Sequence, residues 1–349
     1  MINRLLSYDP PRSRVLGVVL VLMLVALAAA PFLFPGSKAL GVAAKMLVFV
    51  LLVASYDLLL GYTGIVSFAH TMFFGIGAFG VAIASTRMGA GFGAVLVGLA
   101  VALVVSLVLS LVIGLFSLRV KAIFFAMITL AVASAFQTLA SQLSDLTGGE
   151  DGLTFKNPEV LSPSFEFGNY DGRLITYYVL FVVVLVLFLA LLRIVNSPFG
   201  RVLQAIREND FRAEAIGFRT VVYRTLSNVL AAGFATVAGA LLALWLRYTG
   251  PDTTLSFEVM LDILLIVVIG GMGTLYGAVV GAVLFVFAQN YLQDGLKLAA
   301  GALEGVPVAS AVFTPDRWLL WLGVLFVLSV YHFPTGVVGR LRALALKDR

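Results

Sequence analysis

Long apolar segments recur along the whole chain and exclude almost every fold outside a membrane. Of its 349 residues, 61% are hydrophobic and 12% are charged. A membrane-spanning helix needs about 20 apolar residues, and the segments here are continuous and rich in Leu, Val and Ala rather than short and alternating. Because lipid offers the backbone no hydrogen-bond partners, such segments fold as helices. The sequence therefore predicts an all-α integral membrane protein.

Ten segments are apolar enough to predict transmembrane helices in one polytopic domain, residues 1–349. They cover residues 15–34, 39–60, 67–85, 93–118, 123–143, 174–194, 225–248, 257–270, 275–292 and 317–333. The first follows Arg4, Arg12 and Arg14, as a signal peptide would. It is longer than the roughly 7 to 15 apolar residues of a signal-peptide core, so we expect a retained helix.

Basic residues gather in loops that ten crossings place on one side of the membrane. With the N-terminus inside, that side holds Arg119, Lys121, the segment 196–224 and the basic tail 334–349. The loop 144–173 on the other side is mainly acidic. Since cytoplasmic loops carry an excess of Lys and Arg, we expect cytoplasmic N- and C-termini and a periplasmic loop at 144–173. This pattern explains the net charge of +5 without a nucleic-acid partner.

The segment 196–224 is the most polar stretch of the chain. Each of its charged side chains would cost about 2.5 kcal/mol or more in the hydrocarbon, so the segment lies outside it. Ser197 is placed to cap a helix that starts at Pro198. Helical spacing then groups Phe199, Val202, Leu203 and Ile206 on one face. These features predict an amphipathic helix on the membrane surface.

A second short helix is predicted directly after the first. It runs from Phe211 to Ile216, with Asp210 as its cap and Gly217 as its stop. A separate motor domain could bind to two short helices on the cytoplasmic face.

Two glycine-containing breaks interrupt the apolar segments, and each predicts a broken or re-entrant helix. One break carries Gly61 and Gly64, the other Gly270 and Gly273. Freed backbone groups could line a polar path there, or the glycines could serve close helix packing; both interpretations remain open. The candidate path residues are Gly61, Gly64, Ser67, His70, Thr129, Gly270, Gly271 and Gly273. We expect Gly77 and Gly80 to serve packing.

The predicted outer loop contains a glycine-rich turn. It consists of Thr147, Gly148, Gly149, Glu150, Asp151 and Gly152. Such a turn could present backbone amides to a zwitterionic solute or to a docking partner, although the bare pattern indicates only a turn.

No combination of residues points to catalysis, to a cofactor or to a metal site. His70 and His332 are far apart in sequence, and there is no cysteine. The chain lacks a phosphate-binding Gly-x-x-x-x-Gly-Lys-Ser/Thr loop, so energy from ATP would have to come from another subunit. Asp57 and Asp262 are the only acids in or near a span that could serve an ion-driven carrier. We expect a transporter and not an enzyme.

The ordered set of motifs resembles the permease subunits of ABC importers for branched-chain amino acids, specifically the larger, M-type subunit. The similar stretches are 61–70, 74–79, 124–131, 147–152, 197–217, 270–277 and 333–339. The resemblance implies an inner-membrane heterodimer with a second permease, two cytoplasmic ATPase subunits, and a periplasmic binding protein that delivers the solute.

The resemblance also implies that residues 197–217 couple the permease to an ATPase subunit. The candidate coupling residues are Phe199, Arg201, Ile206, Arg207, Glu208, Asn209, Arg212, Ala213, Glu214 and Gly217. The general importer signature has Glu-Ala-Ala followed by Gly four positions later. This stretch departs from it, because Ile216 and then Gly217 follow Glu214 and Ala215. Similar permeases serve urea, amides or aromatic acids, and an ion-coupled secondary transporter is the remaining alternative. Apolar composition does not choose among these solutes.

Overall fold

Helices account for almost all of the regular structure in the computed structural model, which describes residues 13–33, 36–117, 122–163, 165–167, 170–302 and 313–347. The helices are α1 Arg14–Leu33, α2 Ser37–Thr63, α3 His70–Met88, α4 Phe92–Ser117, α5 Ala122–Gln142, α6 Ser144–Thr147, α7 Gly172–Val195, α8 Pro198–Glu208, α9 Asp210–Ala215, α10 Thr220–Leu246, α11 Pro251–Thr254, α12 Phe257–Gly270, α13 Leu275–Ala302, α14 Trp318–His332 and α15 Gly336–Lys347. Within these residues, 10 candidate spans are long and apolar enough to cross a membrane. The prediction of an all-α membrane protein is confirmed.

Short strands fasten the loop 144–173 to the end of α10. Strand β1 is Leu153–Thr154, β2 is Glu166–Phe167, β3 is Tyr170–Asp171 and β4 is Tyr248–Thr249. β1 pairs with β4 and β2 with β3, both antiparallel. The loop and the carboxyl end of α10 therefore lie at the same end of their helices.

Contacts divide the chain into two compact units. Among the described residues, the first unit contains residues 47–264, and the second contains residues 13–46 and 265–347. The first unit holds the polar segment 196–224 and the loop 144–173. The second holds the turn between α12 and α13.

Glycines allow the central helices of the first unit to touch through their backbones. α3 packs against both α10 and α4. A Cβ on Gly77 would overlap the carbonyl oxygen of Thr236, and a Cβ on Gly239 would overlap that of Phe74. A Cβ on Gly80 would lie 2.9 Å from the Gly98 carbonyl oxygen. Small residues at helix crossings are typical of membrane proteins, and the packing role expected for Gly77 and Gly80 is confirmed.

Some helices continue past the ends of the apolar segments. α13 reaches Ala302, beyond the predicted end at residue 292. Its polar end is held by Lys38, whose Nζ lies 2.6 Å from Asp294 Oδ2. Hydropathy delimits the apolar part of a helix, whereas backbone hydrogen bonding continues into the polar part. Arg4, Arg12, Arg119, Lys121 and Arg349, which enter the charge argument, lie outside the described residues.

Candidate functional site

The polar segment, residues 196–224, begins with a sharp turn out of α7. Ser197 caps α8, because its Oγ accepts a hydrogen bond from the Gly200 amide at 3.4 Å. Pro198 occupies the first helical position, where its missing amide hydrogen costs nothing. A Cβ on Gly200 would overlap the backbone of Val195, so the turn requires a glycine there. The predicted helix and its cap are confirmed.

The apolar face of α8 is turned toward the chain's own helices. Leu203 is 0% exposed and Ile206 is 1% exposed. The ring of Phe199 stacks on Tyr223, with 5.7 Å between centroids. Burying each of the two aliphatic side chains contributes about 1.5 to 3 kcal/mol. This face therefore belongs to the core of the first unit, and a partner protein has no access to Leu203 or Ile206 in this conformation.

The cap of α9 is Asn209, and the prediction of Asp210 was wrong by one residue. Asn209 has an extended backbone, and its Oδ1 accepts from the Arg212 amide at 2.9 Å. Asp210 lies inside the helix, and its carboxylate pairs with Arg224 at 3.0 Å. Gly217 follows the helix with φ +98, as a glycine stop does.

The side chains around α9 include two large apolar groups that are exposed. Phe211 is 86% exposed, and Ile216, the residue after the helix, is 68% exposed. Phe211 and Ile216 are called the exposed pair below. Ala213 on the opposite side is 2% exposed and anchors the helix to the protein. The exposed charged residues of the segment are Arg201, Arg207, Glu208, Arg212, Glu214 and Arg219.

Arg207 connects the polar segment to the first glycine break. Its Nη1 donates a hydrogen bond to the carbonyl oxygen of Gly61, near the end of α2. Its aliphatic stem covers Gly64, where a Cβ would lie 3.2 Å from Arg207 Cγ. Gly64 also has φ +74, a conformation that favours glycine. The structure thus brings two predicted path residues into contact with a predicted coupling residue.

The other path candidates of the first unit, Ser67, His70 and Thr129, are buried polar residues. His70 Nε2 lies 2.9 Å from Ser55 Oγ and 3.2 Å from the Leu52 carbonyl oxygen. Thr129 Oγ1 accepts from the Phe68 amide at 3.0 Å. Ser67 and His70 are each 1% exposed. These contacts join α2 to α3 and α5 to the link between them, as interhelical hydrogen bonds do in membrane proteins.

The second glycine break is a tight turn in the second unit. A Cβ on Gly270 would overlap the carbonyl oxygen of Gly277, and Thr274 Oγ1 donates to the Gly271 carbonyl oxygen at 2.9 Å. Gly271 has φ +114 and Gly273 has φ +79. A Cβ on Gly336 would overlap Gly271, so the turn also packs against the start of α15. These glycines are therefore closely packed, and a role of this break in a path stays a prediction.

The glycine turn at residues 147–152 makes its hydrogen bonds within the chain. Thr147 Oγ1 donates to the Ala140 carbonyl oxygen at 2.5 Å and accepts from the Gly149 amide at 3.3 Å. The Gly152 amide donates to the Gly149 carbonyl oxygen. Tyr248 Oη donates to the Asp151 carbonyl oxygen at 3.1 Å. The turn, in which Gly148, Gly149 and Gly152 have positive φ, therefore locks the loop onto β4.

A comparison of the sequence with known families bears on all of these regions. Residues 38–330 match a family described as branched-chain amino acid transport system / permease component. This match covers most of the chain. The chain belongs to this family. The predictions of a permease and of a multi-pass protein of the inner membrane are thereby confirmed.

The permease is similar to three curated proteins named LivM. High-affinity branched-chain amino acid transport system permease proteins LivM from Salmonella typhimurium and Escherichia coli are 25% and 24% identical to it; each match covers 86% of this chain and 74% of the relative. A probable branched-chain amino acid transport permease protein LivM from Methanocaldococcus jannaschii is 28% identical over 64% of this chain and 61% of its own length. No solved structure matches the permease.

The predicted coupling set leaves out two large apolar residues of the permease's polar segment that the structure exposes. Phe211 and Ile216 were assigned to the second short helix only as its ends. They are the large apolar residues of the very polar stretch 207–217, and this contrast is the signal by which they could have been found. Helical spacing drew attention to the apolar face of α8 instead, which the structure buries.

Proposed function

We propose that the permease is the membrane-spanning subunit of an ATP-driven importer for branched-chain amino acids, and that residues 196–224 couple it to separate ATPase subunits. A second permease subunit, two cytoplasmic ATPase subunits and a periplasmic binding protein complete the importer. Family membership and the names of the relatives support the substrate class. The coupling role rests on one observation: the exposed pair lies in the polar segment, with Phe211 on α9 and Ile216 directly after it, and polar contacts hold α9 to α10.

The exposed pair has the chemistry of an interface anchor. Burying a large apolar side chain yields about 1.5 to 3 kcal/mol, and aromatic and Arg side chains are enriched at the centres of interfaces. Arg201, Glu208 and Arg212 are exposed in the same segment. The complementary surface on an ATPase subunit is an apolar groove with a charged rim, which takes Phe211 and Ile216.

Two polar contacts connect α9 to α10. Asp210 pairs with Arg224 at 3.0 Å, and Thr220 Oγ1 donates to Glu214 Oε1 at 2.6 Å. Arg224 and Thr220 both belong to the first turns of α10, one of the central helices. A displacement of α9 by an ATPase subunit therefore moves α10 with it, as a rigid-body mechanism requires.

Arg207 provides a second connection, from α8 to the link between α2 and α3. The Arg207 guanidinium donates to the Gly61 carbonyl oxygen, and the aliphatic stem of Arg207 packs over Gly64. Both contacts are to backbone rather than to flexible side chains. In this proposal Arg207 transmits the motion of the polar segment and does not itself touch the ATPase. Arg207 thus stays in the proposed coupling set, but it contacts the permease's own backbone instead of the ATPase.

Uptake by the assembled importer tests the proposal. The full-length permease, co-expressed with the second permease and ATPase subunits of its own importer, is reconstituted in vesicles with the binding protein. ATP-driven uptake of L-leucine is then compared for wild type and for the double variant Phe211→Ala with Ile216→Ala. We expect roughly a thirtyfold or greater loss of uptake, because anchor residues at interfaces contribute about 2 kcal/mol or more.

The matched control is Phe32→Ala, which removes a phenylalanine that is 67% exposed on α1. Its uptake should equal that of wild type. Normal uptake by the Phe211 and Ile216 variant would contradict the coupling role. Uptake of leucine by the permease alone on a proton or sodium gradient would contradict the whole proposal, and competition by valine, urea and phenylalanine identifies the solute class.

A further inference from the structure

A charged cleft lies at the end of the first unit where β1 pairs with β4. Its volume is about 660 Å³, within the range of small-molecule sites. Lys156, Glu159 and Arg247 line it together with the apolar Phe155 and Leu246. Among the described residues, no ion pair involves any of these three charged side chains. The cleft therefore holds both signs of charge beside an apolar wall, with none of the charges neutralised by a neighbour.

The backbone around the cleft is held in an unusual conformation. Arg247 has φ 57 and is the one described non-glycine residue with positive φ. Its carbonyl oxygen accepts from the Phe155 amide at 3.1 Å, which ties the end of α10 to the residues after β1. Residues held in sparsely populated conformations are frequent at binding sites, because the surrounding structure is used to aim a side chain. Here the left-handed conformation ends α10 beside the cleft, with the Arg247 amide donating to the Ala243 carbonyl oxygen.

A buried amide at the cleft has an unused acceptor. Asn157 is 5% exposed, and its Nδ2 donates to the Leu244 carbonyl oxygen at 2.7 Å. Its Oδ1 has no hydrogen-bond partner among the described residues. Asn157 and Arg247 line both this cleft and an adjoining cavity of about 110 Å³. A buried acceptor without a donor is costly, and a ligand with an N–H group would satisfy it.

We propose that this cleft binds a free α-amino acid with an apolar side chain on the outer side of the permease. Lys156 and Arg247 bind the carboxylate, Glu159 binds the ammonium group, and Asn157 Oδ1 accepts a hydrogen bond from the same ammonium group. Leu246, which is 44% exposed, contacts the aliphatic side chain. The inference deepens the proposed function, on which its substrate class rests, by naming where the solute meets this subunit.

Binding to the full-length permease in lipid nanodiscs tests the inference. Radiolabelled L-leucine is the probe, and unlabelled leucine, leucinamide and 4-methylpentanoate compete with it. Leucinamide lacks the carboxylate and 4-methylpentanoate lacks the ammonium group. We expect saturable leucine binding and at least about tenfold weaker competition by each analogue, since each loses one charged contact. Equal competition by all three compounds, or no saturable binding of leucine, would overturn the inference.

Variants locate the site. Lys156→Gln with Arg247→Gln should weaken leucine binding about tenfold and make leucinamide nearly equal to leucine as a competitor, while 4-methylpentanoate, which keeps neither charged contact, should compete more weakly than both. Glu159→Gln should weaken leucine without weakening 4-methylpentanoate. The controls are Arg87→Gln and Glu150→Gln, exposed charges outside the cleft that should bind leucine as wild type does. Elution of each variant as a monodisperse species confirms that it folds.

The result separates this inference from the proposed function. If the assembled importer takes up leucine but the cleft variants bind leucine as wild type does, the cleft inference is wrong and the proposed function stands. If the cleft variants lose only their affinity for the binding protein, the cleft is a docking surface and the inference is again wrong. If leucine binds in the cleft but ATP drives no uptake, the cleft inference stands and the coupling proposal fails.

Discussion

The two short helices of the polar segment follow each other directly and use their apolar residues in opposite ways. α8 turns Leu203 and Ile206 into the protein, where they are 0% and 1% exposed. α9 carries Phe211, 86% exposed, and is followed by Ile216, 68% exposed. The difference shows that the apolar face of an amphipathic helix can be buried within its own chain while the next helix exposes its large apolar residue. α8 packs its apolar residues against the rest of the first unit, whereas α9 exposes its large apolar residue.

The lengths of the two helices explain this division. α8 has 11 residues and presents three turns, enough to lay an apolar stripe against α7 and α10. α9 has 6 residues, of which Ala213 is buried, and polar contacts to α10 hold it in place of a stripe. Its large apolar side chains are therefore free to point outward.

The largest expected effect is on stability, from a change in α8. Leu203→Ala should lower the free energy of unfolding by about 2 to 5 kcal/mol, because it leaves a cavity under a fully buried side chain. Phe211→Ala should change it by less than about 0.5 kcal/mol, as exposed positions do. Thermal unfolding of the purified permease in detergent, followed by size-exclusion chromatography, measures both. Equal losses for the two variants would remove the distinction between the helices.

The next effect concerns transmission through Arg207. Arg207→Gln should lower ATP-driven uptake by about tenfold or more, because a hydrogen bond to a charged group contributes about 1.5 to 3 kcal/mol. Binding of the ATPase subunits and their ATPase activity should remain, so that ATP hydrolysis is uncoupled from transport. Gly64→Ala should act in the same direction, since it strains φ +74 and crowds the Arg207 stem.

Gln204→Ala is the control for Arg207, as an exposed polar residue on the same helix. It should leave uptake unchanged. Loss of ATPase binding in Arg207→Gln would assign Arg207 to the interface itself, as the sequence had suggested, and would place α8 in the docking surface after all.

A smaller effect is expected at the cap of α9. Asn209→Ala should destabilise this helix by about 1 kcal/mol, whereas Asn209→Asp should preserve it. Amide hydrogen exchange of residues 210–216 measures the local opening. The exchange rate should rise about fivefold in Asn209→Ala, in line with that free energy. An unchanged rate would show that contacts to α10 alone hold α9.

The smallest effect is expected for the ion pair between α9 and α10. Asp210→Asn should cost less than about 1 kcal/mol, since the pair is partly exposed and such pairs contribute little. The same exchange measurement should therefore rank Asp210→Asn below Asn209→Ala. The reverse order would make Asp210 the main support of α9.

Local signals in the sequence were sufficient to predict the membrane spans and most of the polar segment's helical structure. The number of spans, the helix after Ser197 and the glycine stop at Gly217 depend on hydropathy or on neighbouring residues. The cap of α9 was misplaced because Asn209 and Asp210 are both good caps, and only the backbone conformation selects one. The predicted segment ended at residue 292, before the end of α13, because hydropathy does not detect the polar part of a helix.

By itself, the sequence determined that this chain spans a membrane about ten times and that one polar segment carries two short helices. Only the tertiary structure decided which apolar residues of that segment are buried, that Arg207 reaches Gly61, and that the end of α10 meets the residues after β1 at a charged cleft. The physical reason is distance along the chain. Hydropathy and capping act within a few residues, whereas burial, close glycine contacts and cleft walls join residues that are far apart in sequence and close in space.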